Sequence, residues 1–432
     1  MKKIGVITMH RVPNCGSALQ AYATCRAIED CGHEAEIIDY VYPNAWHLER
    51  QRAAGVIGGN GARRNLFSRL VRAAYSRALA VIFGVAKDAR TRTKRFEEFY
   101  AEELKLSKKR YELPENLREA APAYDVYMTG SDQVWNPRFA QGDMIFFCDF
   151  APAKAPRISY AASFATTDIP AEIASRCAAE LARYSAISVR KKEGISLVKK
   201  LCGKSAELVC DPTLLLDARA WNPLAERSRV ALKRPYLLVY ILGYAYNPFP
   251  RIYEIIDAIQ AQTGLHAVFL FGNVKDKRRP NSSCANAVGP NEFVRLFRDA
   301  DFVVTTSFHG TAFSLNFEKP FYSVVESLDG RDSRMISLLR EVGAENRAIP
   351  ISTEKICVRR MDYTRISLRV KALRERSRAF LVRALEIGGG YDKSSLFCEN
   401  LAAFSRTVYF SKSEPAKTIV FAGFGVFAEI AA

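Results

Sequence analysis

The residues best suited to chemistry lie at 303–311, where an apolar run ends in hydroxyl groups, a histidine and a glycine. His309 is one of five histidines in the chain, and an imidazole can change its protonation near neutral pH. Ser307, Gly310 and Thr311 surround it, and the helix predicted to follow would direct its amide N–H groups at an anion. The segment therefore predicts an anion site with a proton donor attached. A purely structural histidine at a strand end is the alternative.

A second polar segment follows the strand predicted at 124–129. Ser131 and Asp132 open it, and Trp135 adds an indole that is able to stack on a sugar ring. A carboxylate in this position can accept a proton from a sugar hydroxyl, so Asp132 is a candidate base. It could also cap the next helix, and the two roles are compatible.

Two arginines at strand ends are candidates for gripping an anion. Arg190 ends the strand predicted at 186–189, and Arg334 comes after the strand predicted at 321–325. A guanidinium can hold a carboxylate or a phosphate with two parallel hydrogen bonds. The alternatives are an exposed side chain beside two lysines for Arg190 and a weak surface ion pair for Arg334.

The opening loop is a further candidate for binding. Asn14 and Gly16 lie between the strand predicted at 3–9 and the helix predicted at 17–30, so the backbone amides there could hold an anion or a sugar hydroxyl. The segment lacks the full Gly-x-Gly-x-x-Gly pattern, which argues against an ordinary dinucleotide site. A tight turn that merely needs glycine is the other interpretation.

The elements that position these residues alternate between strand and helix. The start of the chain predicts a strand, a helix and a strand, which is the opening of a parallel α/β sheet. A polar, irregular stretch at 216–233 separates this half from a second alternating series. We therefore expect two α/β domains, at 1–225 and 232–388, the second with a closing helix. Ligands of such sheets bind at the carboxyl ends of the strands.

Two segments stand apart from this alternation. Residues 46–113 form a basic, amphipathic insertion, interpreted as a solvated helical face or a lid, or alternatively as a surface that docks on anionic lipid headgroups. The tail at 389–432 lacks clear periodic order, and we assign it no structure.

Composition narrows the classes of partner. The 432 residues carry a formal net charge of +17, which favours anionic partners. The chain lacks nucleic-acid-binding signatures, so we expect no nucleic acid as a partner.

The cysteines form no cluster with the spacing of metal ligands, so we expect no bound metal. Without a secretory signal or a bilayer-length apolar stretch, we expect a cytoplasmic protein that meets a membrane only peripherally, on its inner face. The sequence favours no oligomeric state.

Six segments in order resemble the polysaccharide pyruvyl transferase family. They are 14–22 (NCGSALQAY), 129–136 (TGSDQVWN), 158–164 (ISYAASF), 187–190 (ISVR), 211–213 (DPT) and 306–311 (TSFHGT). Each segment alone is weak, but six in this order make a specific match.

The resemblance implies a fold similar to the glycosyltransferase B type, in which two Rossmann-like domains face a central cleft. It implies phosphoenolpyruvate as donor substrate, no further cofactor, and a sugar or lipid-linked glycan as acceptor, which receives pyruvate as a ketal on two hydroxyls. The family's catalytic histidine falls on His309, and its donor-binding basic residues fall on Arg190 and Arg334. His309 is then the expected acid and Asp132 the weaker candidate for the base.

Two other functions remain open at this point. A nucleotide-sugar glycosyltransferase of the same architecture would place a diphosphate in the same basic cleft. A non-catalytic glycan-binding protein would keep His309 hydrogen-bonded in the core, far from Arg190.

Overall fold

A computed structural model describes residues 1–53, 85–230, 232–243, 246–329 and 334–387. The predicted tail at 389–432 and the middle of the predicted insertion, 54–84, lie outside the described residues. Residues Met1–Ile387 form one compact unit. Two parallel six-stranded sheets make up this unit, and helices cover them. The predicted α/β fold with two Rossmann-like domains is confirmed.

The first sheet has the strand order β2-β1-β3-β4-β5-β6. Its strands are β1 Lys3–Ile7, β2 Glu34–Ile37, β3 Val126–Thr129, β4 Arg157–Ala162, β5 Ala186–Val189 and β6 Glu207–Leu208. The helices of this part of the chain are α1 Cys15–Glu29, α2 Ala45–Ala53, α3 Val85–Glu103, α4 Pro114–Glu119, α5 Pro137–Ala140, α6 Ala171–Ala182, α7 Lys192–Cys202, α8 Pro212–Leu215 and α9 Ala218–Glu226. The strand order reverses between β1 and β3, and a crevice for ligands opens at such a reversal.

The second sheet has the strand order β12-β11-β10-β7-β8-β9. Its strands are β7 Tyr236–Tyr240, β8 His266–Leu270, β9 Ser282–Ala285, β10 Phe302–Thr305, β11 Phe321–Val325 and β12 Ala348–Pro350. The helices of this part are α10 Arg251–Thr263, α11 Val274–Lys277, α12 Pro290–Asp299, α13 Phe308–Asn316, α14 Arg334–Val342 and α15 Thr364–Glu386. Here the order reverses between β7 and β10, so the segment with His309 follows a strand at the reversal.

Within the irregular stretch predicted at 216–233, Ala218–Glu226 form the helix α9, whereas residues 227–230 and 232–233 belong to no helix or strand. One face of α9 is apolar, and Trp221 on that face is fully buried. Its ring centroid lies 5.8 Å from that of Tyr22 in α1 and 5.0 Å from that of Phe313 in α13. The prediction was wrong for this helix because its polar residues lie on the opposite face. The two domains therefore share one hydrophobic core here.

Helices α3 and α15 also connect the two domains. On α3, Arg92 donates to the carbonyl of Pro13 at 2.6 Å, and its guanidinium lies 4.3 Å from the ring centroid of Phe271. On α15, Ser377 accepts a hydrogen bond from the amide of Cys210 at 2.9 Å. Helix α3 of the basic insertion is thus packed between the domains through one face, and its other face is solvated.

No helix in the described part of the chain is both long enough and apolar enough to cross a bilayer.

Candidate active site

His309 lies in the first turn of α13, directly after the central strand β10. Ser307 caps this helix, since its hydroxyl accepts from the amide of Gly310 at 3.4 Å. Gly310 lies so close to Thr305 that a Cβ atom would overlap the threonine side chain. The turn therefore requires glycine at this position, and it places a buried imidazole at the positive end of a helix.

The first domain supplies a second helix N-terminus to the same imidazole. Asn14 caps α1 and accepts from the amide of Gly16 at 2.8 Å. A Cβ atom at Gly16 would overlap the His309 ring, so only glycine allows this approach between the domains. Gly16, predicted from the opening loop, is thus brought to His309, and Asn14 caps the helix that carries it.

Arg190 and His309 meet through a carboxylate. Nη1 of Arg190 donates to Oδ2 of Asp211 at 2.5 Å, and Nε2 of His309 lies 3.8 Å from the same oxygen. Both side chains are buried. Nε and Nη2 of Arg190 and Nε2 of His309 are buried atoms without a hydrogen-bond partner among the described residues. Three polar atoms able to bind an anion are therefore concentrated at this point.

Asp132 joins this group from the end of β3. Its Oδ2 accepts from the hydroxyl of Ser17 at 2.7 Å, and its Oδ1 lies 3.6 Å from Nη2 of Arg190. The backbone of Asp132 is left-handed, with φ 74°, which for a non-glycine residue costs on the order of 1–3 kcal/mol. Asp132 does not cap the following helix, because Asn136 occupies that position.

Charge and burial act in opposite directions on these groups. Burial lowers the pKa of His309. The carboxylates of Asp211 and Asp132 raise this pKa, whereas the charges of Arg190 and Arg334 lower it. The result is a pKa of His309 below its usual value. Burial raises the pKa of Asp132, but Arg190, His309 and the hydrogen bond from Ser17 outweigh it and keep that pKa low. The site therefore favours a neutral imidazole between ionised carboxylates and arginines.

Arg334 also approaches the site. Its guanidinium carbon lies 5.8 Å from the ring centroid of Phe308, and that of Arg190 lies 4.9 Å from the same ring. One aromatic side chain thus contacts an arginine from each domain.

A sequence model of the polysaccharide pyruvyl transferase family matches residues 14–327. All six segments described above fall within this range. The chain belongs to the polysaccharide pyruvyl transferase family.

Solved structures of similar fold include the UDP-GlcNAc 2-epimerase of Methanocaldococcus jannaschii, with 12% identity and a TM-score of 0.48 over 89% of this chain and 100% of that one. The UDP-GlcNAc 2-epimerase of Neisseria meningitidis bound to UDP-GlcNAc has 9% identity and a TM-score of 0.44 over 89% and 99%. A comparison with proteins of curated description finds no match.

Two predicted binding residues of this pyruvyl transferase family member have buried side chains with hydrogen-bond partners inside the protein. Trp135 is 2% exposed, stacks on Phe147 at 5.1 Å between ring centroids and donates to the carbonyl of Phe146 at 2.9 Å. Its ring is therefore part of the core of the first domain and does not present a face to a sugar. The hydroxyl of Thr311 bonds to that of Ser323 at 2.6 Å inside the second domain.

The remaining predicted residues serve the cluster indirectly. The hydroxyl of Ser131 shares its one proton between the carbonyl of Ala161 at 3.0 Å and Oδ2 of Asp211 at 3.3 Å. Ser307 holds the turn at the start of α13 through its capping bond. No group of His, Cys, Asp or Glu side chains in the described ranges is arranged to hold a metal ion.

Sequence reasoning missed Asp211 as a site residue. It appeared only as the first letter of the segment at 211–213, where an aspartate before proline suggests a helix cap. It does cap α8, since the amide of Thr213 donates to Oδ1 at 3.0 Å. Its contacts with Arg190 and His309 bridge 21 and 98 positions of the chain, so no local pattern could have revealed them.

Proposed function

We propose that this protein transfers pyruvate from phosphoenolpyruvate to two hydroxyls of a sugar in a polysaccharide or lipid-linked glycan, where it forms a ketal. Membership in the pyruvyl transferase family supports the reaction class. The observation that carries the choice of donor is the convergence of Arg190 and His309 between two helix N-termini, with buried nitrogen atoms that lack a hydrogen-bond partner among the described residues.

The chemistry of the donor matches this convergence. Phosphoenolpyruvate carries a carboxylate and a phosphate on three carbons, so its site needs cations and amide dipoles in a small space. The Nε and Nη2 edge of Arg190 suits a bidentate contact with one of these groups. Arg334 adds a second positive charge, which in our proposal also contacts the donor.

The reaction takes place in two steps. His309, protonated when the anionic donor is bound, gives a proton to the methylene carbon, which becomes a methyl group and leaves a cationic centre at C2. The first sugar hydroxyl forms a C–O bond there and loses its proton, for which Asp132 is the candidate acceptor. The second hydroxyl then displaces phosphate, which leaves with the bonding electron pair and takes up the second hydroxyl proton.

The pKa of His309 determines when it can act. Because its pKa is lowered, the imidazole is neutral in the protein without donor. The negative charges of a bound donor would raise the pKa of His309. If protonation is coupled to donor binding, His309 is an acid only in the complex with the donor.

The test is incubation of the full-length protein with phosphoenolpyruvate and a panel of glycan acceptors. We expect release of phosphate that depends on the acceptor, together with an acceptor mass increased by one pyruvate ketal. Parallel reactions with nucleotide sugars test the alternative activity. Release of nucleotide from these, with none of phosphate from phosphoenolpyruvate, would overturn the proposal in favour of a glycosyltransferase. Inactivity with both donors, together with measurable glycan binding, would favour a non-catalytic protein.

We also propose that the protein acts in the cytoplasm, where its donor is produced, and reaches a lipid-linked acceptor at the inner face of the membrane. Cell fractionation tests this location. We expect the protein in the soluble fraction or in a membrane fraction from which high salt releases it, because peripheral electrostatic binding is screened by salt.

A further inference from the structure

We propose that Asp211 is a positioning residue that orients both Arg190 and His309 for the reaction. Its importance for turnover rests on the proposed function, whereas its effect on the two side chains can be measured without any substrate.

Asp211 is held rigidly inside the first domain. It is 1% exposed, and its Oδ1 accepts from the amide and the hydroxyl of Thr213 at 3.0 and 2.8 Å. Its Oδ2 accepts from Nη1 of Arg190 at 2.5 Å and from the hydroxyl of Ser131 at 3.3 Å. Two donors from Thr213, one from Arg190 and the hydroxyl shared with Ala161 leave this buried carboxylate little freedom to turn, so it can act as a fixed reference for its partners.

The first partner is the guanidinium of Arg190. Because Nη1 is bound to Asp211, the orientation of the planar group is determined, and the edge formed by the buried Nε and Nη2 is left without a hydrogen-bond partner among the described residues. Asp132 lies 3.6 Å from Nη2, beyond hydrogen-bonding distance. The carboxylate of Asp211 thus determines which edge of the Arg190 guanidinium faces the donor.

The second partner is the imidazole of His309. Its Nε2 lies 3.8 Å from Oδ2 of Asp211, and a small movement would turn this approach into a charge-assisted hydrogen bond once the ring is protonated. The charged groups that face His309 are Asp211, Asp132, Arg190 and Arg334. Asp211 makes the largest contribution among those that favour the protonated ring. It therefore offsets part of the effect of burial and of the two arginines on the pKa of His309, and it would stabilise the protonated ring once an anion binds.

The decisive measurement is an NMR titration of His309 in protein labelled at histidine. With five histidines in the chain, the signal of His309 is identified by its loss in His309→Gln. Asp211→Asn keeps the shape of the side chain and removes its charge. We expect the pKa of His309 to fall in this variant relative to the wild type, because the carboxylate no longer stabilises the cation.

A matched control is Asp276→Asn. Asp276 is 3% exposed and accepts from the hydroxyl of Tyr253 at 2.8 Å and from the amide of Asn273 at 2.6 Å, in a capping box of the second domain. We expect this variant to leave the titration of His309 unchanged. An unchanged titration in Asp211→Asn as well would overturn the proposal.

A second variant tests the idea if Asp211→Asn fails to fold. Ser131→Ala removes the hydroxyl that Oδ2 of Asp211 shares with the carbonyl of Ala161, and it leaves the carboxylate in place. Without this hydroxyl, the negative charge of Asp211 is less stabilised and should attract a proton on His309 more strongly. The pKa of His309 should therefore rise. A fall, or no change, in a folded Ser131→Ala protein would contradict the proposed role.

Kinetics separate positioning from stability. With phosphoenolpyruvate and an active acceptor, we expect kcat/KM to fall about 10- to 100-fold in Asp211→Asn, the range for one lost charge-assisted hydrogen bond. The basic limb of the pH profile of kcat should move to lower pH, which a purely structural role would not cause.

If the wild type releases no phosphate but the titration shifts as expected, the proposed function fails and the positioning role stands. An active wild type with an unmoved titration removes the positioning role alone.

Discussion

His309 of the second domain lies directly against Gly16 of the first domain, with no room for a side chain between them. The contact joins the N-termini of α1 and α13, each of which follows a strand at the point where its sheet reverses order. The geometry of the candidate acid therefore depends on how the two domains pack, and not on its own turn alone.

Replacement Gly16→Ala should impair turnover without unfolding the protein. The added methyl group would displace the imidazole, and a displacement of about 1 Å can cost on the order of 100-fold in rate. Steady-state kinetics and thermal unfolding measure the two effects. Gly243→Ala is the control, because a Cβ atom there would meet its nearest neighbour at an ordinary 3.9 Å. Normal turnover in Gly16→Ala would show that the close contact is not maintained in solution.

His309→Ala should reduce kcat far more than it weakens donor binding. Loss of a positioned acid typically costs about 100- to 10,000-fold in rate, whereas Arg190 would still hold the donor. Single-turnover kinetics and donor titration measure the two quantities. His266→Ala is the control, since that ring bonds to Asn281 and Ser283 at the start of β8. Near-normal turnover in His309→Ala would remove this residue from the mechanism.

Arg190→Lys should raise the KM for phosphoenolpyruvate by about 10- to 100-fold with a smaller change in kcat. An ammonium keeps the charge but cannot make two parallel hydrogen bonds to one anion. The comparison variant is Arg183→Lys, at an exposed arginine that pairs with Glu180. Equal KM values for Arg190→Lys and the wild type would show that the guanidinium does not bind the donor.

Binding of sulfate, an anion that does not itself titrate in this range, should be accompanied by proton uptake near neutral pH. The pKa of His309 is below its usual value, so the ring is neutral before binding, and a nearby anion raises the pKa and favours the protonated form. Calorimetry in buffers of different ionisation enthalpy measures the number of protons. We expect the uptake to be lost in His309→Gln. An equal uptake in that variant would assign the proton to another group.

Arg92→Ala should lower activity by loosening the opening loop. The side chain of Arg92 connects the carbonyl of Pro13 in the first domain to Phe271 in the second, and its loss should cost about 1 kcal/mol of stability. Lys94→Ala on the same helix is the control, because Lys94 is 74% exposed. Thermal unfolding and kcat/KM are the measurements. A loss of stability with unchanged kcat/KM would limit Arg92 to a structural role.

Sequence reasoning was accurate where the information is local. The alternation of apolar runs and helical segments predicted two α/β domains, because burial on both faces makes each parallel strand continuously apolar. The loops after β1, β3 and β10 were found from polar residues at strand ends. The pattern failed for α9, whose polar face suggested an irregular linker while Trp221 packed between the domains.

By itself, the sequence determined the fold class, the family and the loops that contain Asn14, Asp132, Arg190 and His309. Only the tertiary structure decided which residues meet. A side chain's type and position show that it is polar or that it faces a core, but not which distant segment covers it. For that reason only the tertiary structure shows that Trp135 is buried. It also shows that Asp211 contacts both Arg190 and His309.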